Sequence, residues 1–117
     1  MIVNDHTAFR QALAVMLEHR GGFDVCAEVG SSAEAKRTLS ALTARPDLVI
    51  LDLDPRDRIT EYLVRELVRE LCDGPSATGV MILTADGNLA GTPEKVRVLG
   101  TDVSADEILS VARQLVG

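Results

Sequence analysis

Acidic and hydroxyl side chains follow the short apolar runs of this chain. In order, the residues after these runs are Asn4 and Asp5, Asp52 and Asp54, Thr84 and Ala85, and Thr101 and Asp102. Two carboxylates that share one site either raise the pKa of one of them or hold a hard divalent cation. For Asp5 and Asp52 we favour magnesium, because Mg²⁺ takes few protein ligands and keeps water and phosphate oxygens. A phosphate bound there would also meet the hydroxyl of Thr84.

The elements that would position these side chains alternate between strand and helix. Apolar runs predict strands at residues 2–3, 48–51, 80–83 and 96–99, and the alternation of apolar with polar or small residues predicts one more at residues 23–29. Helical spacing predicts a first helix over residues 7–20, stopped by Gly21-Gly22, and a third one marked by Leu63, Leu67 and Leu71. Ser31 with Glu34, and Ser104 with Glu107, have capping-box spacing for the second and last helices.

This alternation predicts an α/β, flavodoxin-like, three-layer sandwich around a parallel sheet of five strands in the order 2-1-3-4-5. The first and third strands are neighbours in that order. Asp5 and Asp52 would therefore lie at the same edge of the sheet, beyond the carboxyl ends of the strands, where such folds bind their ligands.

Composition restricts the functions open to the chain. Its 117 residues predict one domain over residues 1–117, and a net charge of −6, from 12 basic and 18 acidic residues, disfavours nucleic-acid binding by this domain alone. No apolar run is long enough for a bilayer, and no secretory signal is readable, so we expect a cytoplasmic protein without membrane contact. Cys26 and Cys72 are too far apart for a CxxC pair, and we expect both to be small buried side chains.

Three segments resemble the receiver domains of bacterial two-component response regulators, particularly those joined to LuxR-type helix-turn-helix domains. The segment Ile2–Arg10 resembles the family's acidic-pair segment, Pro46–Leu53 its phosphoacceptor strand, and Ile82–Ala85 its switch segment. They follow one another in the family's order, and with the arrangement of strands and helices around them the resemblance extends over nearly the whole chain.

The resemblance implies a role for each residue that matches a motif. Asp52 is the phosphoacceptor, which receives a phosphoryl group from the phosphohistidine of a sensor histidine kinase. Asp5 and Asp52 ligate Mg²⁺ together with the backbone carbonyl of Leu53 or Asp54, and Asn4 contributes indirectly. Thr84 supplies the switch hydroxyl.

Three departures indicate an atypical receiver. Asn4 stands in place of the first acid of the pair, which removes a negative charge from the metal site. Thr101 occupies the position of the family's lysine, and Val98 that of its aromatic switch residue. Lys95 lies about 20 Å away along an extended strand and does not replace that lysine.

The implied partner is a sensor histidine kinase, with a homodimer through the last helix and fifth strand as a further expectation. Contact with DNA, and thus transcription regulation, would require an output domain. A phosphorylation-independent, degenerate receiver that serves dimerisation or docking is the main alternative. Asp52-Leu53-Asp54 also resembles the opening motif of haloacid dehalogenase phosphatases, but it follows two other strands instead of lying on the first. We therefore expect a signalling domain and not an enzyme.

Overall fold

Strands and helices alternate along the part of the chain that the computed structural model describes, residues 1–53, 58–71, 78–85 and 95–116. The strands are β1 (Ile2–Val3), β2 (Glu28–Val29), β3 (Leu48–Leu53), β4 (Gly79–Thr84) and β5 (Val96–Gly100). The helices are α1 (Thr7–Gly21), α2 (Ser32–Ala41), α3 (Arg58–Leu71) and α4 (Ala105–Val116).

All neighbouring strands pair in parallel, in the order β2-β1-β3-β4-β5. The predicted fold class and strand order are both confirmed. The two long central strands β3 and β4 are buried on both faces, as continuous apolar runs predict.

Each face of the sheet has its own apolar core. Ile2, Ile50 and Met81 pack with α1 and α4 on one face. Val3, Leu51 and Ile82 pack with α2 and α3 on the other. Successive residues of a strand point to opposite faces of the sheet, so each strand contributes to both cores. The helices that cover the two cores complete the three-layer sandwich.

Local sequence signals explain where the helices begin and end. Gly22 adopts the left-handed conformation, with φ of 70°, and terminates α1. The hydroxyl of Ser31 accepts from the N–H of Glu34 at 3.1 Å, and that of Ser104 accepts from Glu107 at 3.2 Å. Both predicted caps are therefore present. His6 caps α1 by accepting from the N–H of Phe9 through Nδ1.

The second strand is much shorter than predicted. Only Glu28 and Val29 pair with β1, so the prediction of a strand over residues 23–29 was wrong for most of its length. The reason is that β1 offers only Ile2 and Val3 as partners. The alternating pattern is present in the sequence, and the carbonyl of Ala27 still accepts from the N–H of Ile2, but residues 23–26 have no partner in β1 with which to form a ladder.

Other differences concern single residues and boundaries. Cys26 is exposed, so the prediction that it is buried was wrong; Cys72 lies outside the described residues. The third helix begins at Arg58, earlier than the leucine spacing indicated. Among the described helices, none has both the length and the apolar composition needed to cross a bilayer.

Candidate functional site

The register of the sheet brings Asn4, Asp52 and Thr84 to one edge. Leu51 pairs with Val3 in β1, and Asp52 pairs with Leu83 in β4. The N–H of Asn4 still donates to the carbonyl of Val29 at 3.0 Å, so the extended backbone of β1 continues to Asn4. One further step of the β1–β3 register therefore places Asn4 beside Asp52.

Thr84 ends β4 with a buried hydroxyl. Its residue is 1% exposed, and Oγ1 has no hydrogen-bond partner among the described residues. Thr84 pairs with Leu53, one residue beyond Asp52. A buried hydroxyl without a partner lowers the stability of the fold by about 1–3 kcal/mol. An incoming oxygen atom that accepts a hydrogen bond from this hydroxyl would therefore be stabilised here.

Asn4 has a structural role in the turn between β1 and α1. It is 7% exposed, and its Oδ1 accepts a hydrogen bond from the N–H of His6 at 2.7 Å. This is the Asx-turn geometry that short polar side chains favour. The bond leaves Asp5, in the middle of the turn, exposed to solvent. Asn4 thus orients the backbone at Asp5, and its indirect contribution to a metal site stays a prediction.

Arg10 holds the same turn from the side of α1. Its Nη1 donates to the backbone carbonyl of Asn4 at 2.7 Å, and its Nε lies 3.5 Å from Oε1 of Glu28. Only 17% of the Arg10 side chain is exposed. Sequence reasoning missed this residue as a part of the site, although an arginine on the first turns of the helix that follows Asp5 was a signal.

The carboxylates of the site differ in exposure. Asp5 is exposed and Asp52 is half-buried. Among the described residues, no group of three or more His, Cys, Asp or Glu side chains is placed to hold a metal ion. Asp54, predicted as an alternative ligand to Leu53, lies outside the described residues. The magnesium site predicted from Asp5, Asp52 and the backbone carbonyl of Leu53 therefore stays a prediction.

The end of β5 carries no cation. Thr101 is exposed in the turn that follows Gly100. Lys95 lies at the opposite end of the strand, where Nζ donates to the carbonyl of Leu115 at 3.2 Å. Val98, in the aromatic position, is half-buried against the core next to α2 and α3. The expectation that Lys95 does not replace the missing lysine agrees with these contacts.

Comparisons with known proteins bear on the fold. No protein-family description matches the sequence, and no curated protein does. Among solved structures, a LuxR-family DNA-binding response regulator from Staphylococcus aureus superposes with a TM-score of 0.70 at 19% identity, over 99% of this chain and 97% of that one. A response regulator receiver domain protein from Bacillus halodurans gives 0.69 at 21% identity, over 97% of this chain and 92% of that one. The chain therefore has the flavodoxin-like fold of response regulator receiver domains.

Proposed function

We propose that this chain is an atypical receiver domain of a two-component pathway, in which Asp52 accepts a phosphoryl group from a sensor histidine kinase. The observation that carries the proposal is the buried, unpartnered hydroxyl of Thr84, one register step from Asp52. The shared fold supports it, as does the edge of the sheet where Asn4 follows β1, Asp52 is the next-to-last residue of β3 and Thr84 is the last residue of β4. The domain acts as a signalling module instead of a turnover catalyst.

The proposed step is a transfer between two nucleophiles. A carboxylate oxygen of Asp52 attacks phosphorus as the phosphorus–nitrogen bond of the kinase phosphohistidine breaks, and the electron pair of that bond returns to the imidazole. The product is an acyl phosphate on Asp52. Thr84 then donates its hydroxyl proton in a hydrogen bond to a phosphoryl oxygen, which gives the buried group its missing partner.

The residues present fit a magnesium ion. Asp5, Asp52 and the carbonyl of Leu53 supply hard oxygen donors, and the exposure of Asp5 leaves room for the waters that Mg²⁺ retains. When bound, Mg²⁺ would neutralise part of the negative charge on the phosphoryl oxygens. With Asn4 in place of an acid and Thr101 in place of a lysine, we expect slow phosphorylation and weak metal binding.

The proposal extends to partners and location. A cytoplasmic histidine kinase domain donates the phosphoryl group, and homodimer formation would use α4 and β5. Any contact with DNA would belong to an output domain attached to this one or supplied by a partner.

Acetyl phosphate with Mg²⁺ tests the acceptor directly. Intact-mass spectrometry should show the gain of one phosphoryl group on the wild type and on Asp47→Asn, the matched control at the other end of β3, but not on Asp52→Asn. A folded wild-type protein that gains no mass under these conditions would contradict phosphoryl acceptance and favour the docking module. Steady hydrolysis of a small phosphoester, lost in Asp52→Asn, would favour the phosphatase instead.

A further inference from the structure

An open groove with a volume of about 520 Å³ lies between α2 and α3. On the α2 side, small side chains line it, those of Ser32, Ala33 and Ser40. From Ser32 to Ser40 the helix axis advances by about 12 Å at the usual rise per residue. The groove therefore follows α2 for slightly more than two turns, and we call it the α2–α3 groove.

Apolar surface from α3 lines the other side of the α2–α3 groove. Leu67 is 1% exposed and lies at its floor. Tyr62 also lines the groove and is 64% exposed, the highest fraction among the large apolar side chains that the structure describes. A lone exposed apolar side chain is ordinary on a protein surface. Beside a groove, however, the ring of Tyr62 offers apolar area that a ligand filling the groove would bury.

The α2–α3 groove is basic, although the chain as a whole has a net charge of −6. Lys36 and Arg37 line it from α2, and the cationic group of neither side chain has an ion pair or hydrogen bond with the part of the chain that the structure describes. Glu66 also lines the groove, but its carboxylate already pairs with Arg69 at 3.0 Å. Two cations without partners therefore favour a ligand that carries negative charge.

The walls of the α2–α3 groove favour a helix over an extended peptide. Both walls are helices, whose backbone groups are hydrogen-bonded within each helix. An extended peptide would thus bury main-chain N–H and C=O groups against walls that cannot pair with them. A helix satisfies its own backbone and presents only side chains. The small side chains of Ala33 and Ser40 would let the apolar side chains of such a helix approach α2 closely.

We propose that the α2–α3 groove binds an acidic amphipathic helix of a partner protein. The apolar face of that helix packs on Tyr62 and Leu67, and carboxylates at the border of this face pair with Lys36 and Arg37. Burial of apolar side chains in the groove supplies affinity, and the ion pairs select acidic over basic helices. The proposal is independent of phosphoryl transfer at Asp52.

The probe is the peptide acetyl-Ser-Glu-Glu-Leu-Ala-Glu-Leu-Leu-Glu-Ala-Leu-Glu-amide, which has one leucine face and no aromatic residue. Tyr62 is the only tyrosine of the chain, which has no tryptophan, so its fluorescence reports on the groove without a label. We expect a saturable change in that emission and a matching calorimetric isotherm, both weakened by salt. The same peptide with lysine for every glutamate, or with proline for its second alanine, should bind at least about tenfold more weakly.

Variants of the protein separate binding in the α2–α3 groove from binding elsewhere. Arg37→Glu should weaken binding at least about tenfold, whereas Arg113→Glu, the same reversal at an exposed position of α4, should leave it unchanged. Ala33→Phe obstructs the groove at an exposed position and should abolish binding, which the matched Ala33→Ser should retain. Three results would overturn the proposal: no binding of the acidic peptide at millimolar concentration, equal binding of the proline peptide, or equal binding by Arg37→Glu and Arg113→Glu.

Discussion

Thr84 pairs with Leu53 in the parallel register of β4 and β3, which places its buried hydroxyl one residue beyond Asp52. Ile82 and Leu83, which precede it in β4, are at most 2% exposed. The same fold contains a second threonine at 1% exposure, Thr78, whose Oγ1 donates to the carbonyl of Pro46 at 2.9 Å. Thr84 and Thr78 can therefore be compared directly, because they are equally buried and differ in whether the hydroxyl is hydrogen-bonded.

We predict opposite effects of removing these two hydroxyls. Thr84→Val should raise the free energy of unfolding by about 1 kcal/mol, because it removes a buried polar group without a partner. Thr78→Val should lower it by about 1–2 kcal/mol, because it leaves the carbonyl of Pro46 without its donor. Urea denaturation measures both. A loss of stability in Thr84→Val equal to that in Thr78→Val would show that Thr84 has a partner in the unliganded protein.

Asn4→Asp should make stability depend on magnesium. The aspartate retains the oxygen that accepts from the N–H of His6, but it adds a negative charge at a position only 7% exposed. We expect a loss of about 1–2 kcal/mol without metal, since burial disfavours the charged carboxylate. Magnesium should recover the loss by binding the folded state.

The control for that experiment is Asn4→Ala, which removes the hydrogen bond to His6 and adds no charge. It should lose about 1 kcal/mol with or without magnesium. A response to magnesium in Asn4→Asp no larger than in the wild type would count against a metal site beside Asp5 and Asp52.

Thr101→Lys should accelerate phosphorylation by acetyl phosphate. The substitution places an ammonium group in the exposed turn after β5, where the phosphoryl oxygens would meet it. Two unit charges at 4 Å interact by about 4 kcal/mol at the effective dielectric of a protein surface, so even a partial contact gives about a tenfold faster reaction. Ser110→Lys, on the exposed side of α4, adds the same charge elsewhere. Equal acceleration by both variants would assign the effect to net charge alone.

Arg10→Met should destabilise the turn that carries Asp5. It removes the hydrogen bond to the carbonyl of Asn4 and the ion pair with Glu28, and we expect a loss of about 1.5–3 kcal/mol because the bonds involve a largely buried charge. Arg69→Met is the matched control: that side chain is 77% exposed and pairs with Glu66 at 3.0 Å. Its loss should be within about 0.5 kcal/mol. If thermal denaturation showed that Arg10→Met and Arg69→Met lose a comparable amount of stability, Arg10 would have no special role in holding the turn at Asp5.

Much of the architecture could be predicted from the sequence, because the positions of strands and helices depend on local residue patterns. The continuous apolar run of β3 and the capping pairs Ser31–Glu34 and Ser104–Glu107 each predicted an element that is present. The strand order then followed from the alternation of strands and helices. From that order alone, Asp5 and Asp52 were predicted at one edge; the β1–β3 register extends to Val3 and Leu51, and the convergence of the two carboxylates stays a prediction.

The features that were missed depend on neighbours distant in sequence. Residues 23–26 alternate as a strand should, but pairing needs a partner, and the β1–β2 register starts at Ile2 and Glu28. The contacts of Arg10 with Asn4 and Glu28 depend on how α1 lies against β1 and β2, which no local pattern records. The exposure of Cys26 has the same origin as the short β2.

Our central claim is that Asp5, Asp52 and Thr84 act on one bound phosphoryl group. A crystal structure of the protein with Mg²⁺ and beryllium fluoride tests it most directly. We predict beryllium bonded to a carboxylate oxygen of Asp52, Mg²⁺ shared by Asp5 and Asp52, and the hydroxyl of Thr84 donating to a fluorine atom. Carboxyl groups of residues 5 and 52 that face different sides of the molecule, with no beryllium on Asp52, would contradict the claim.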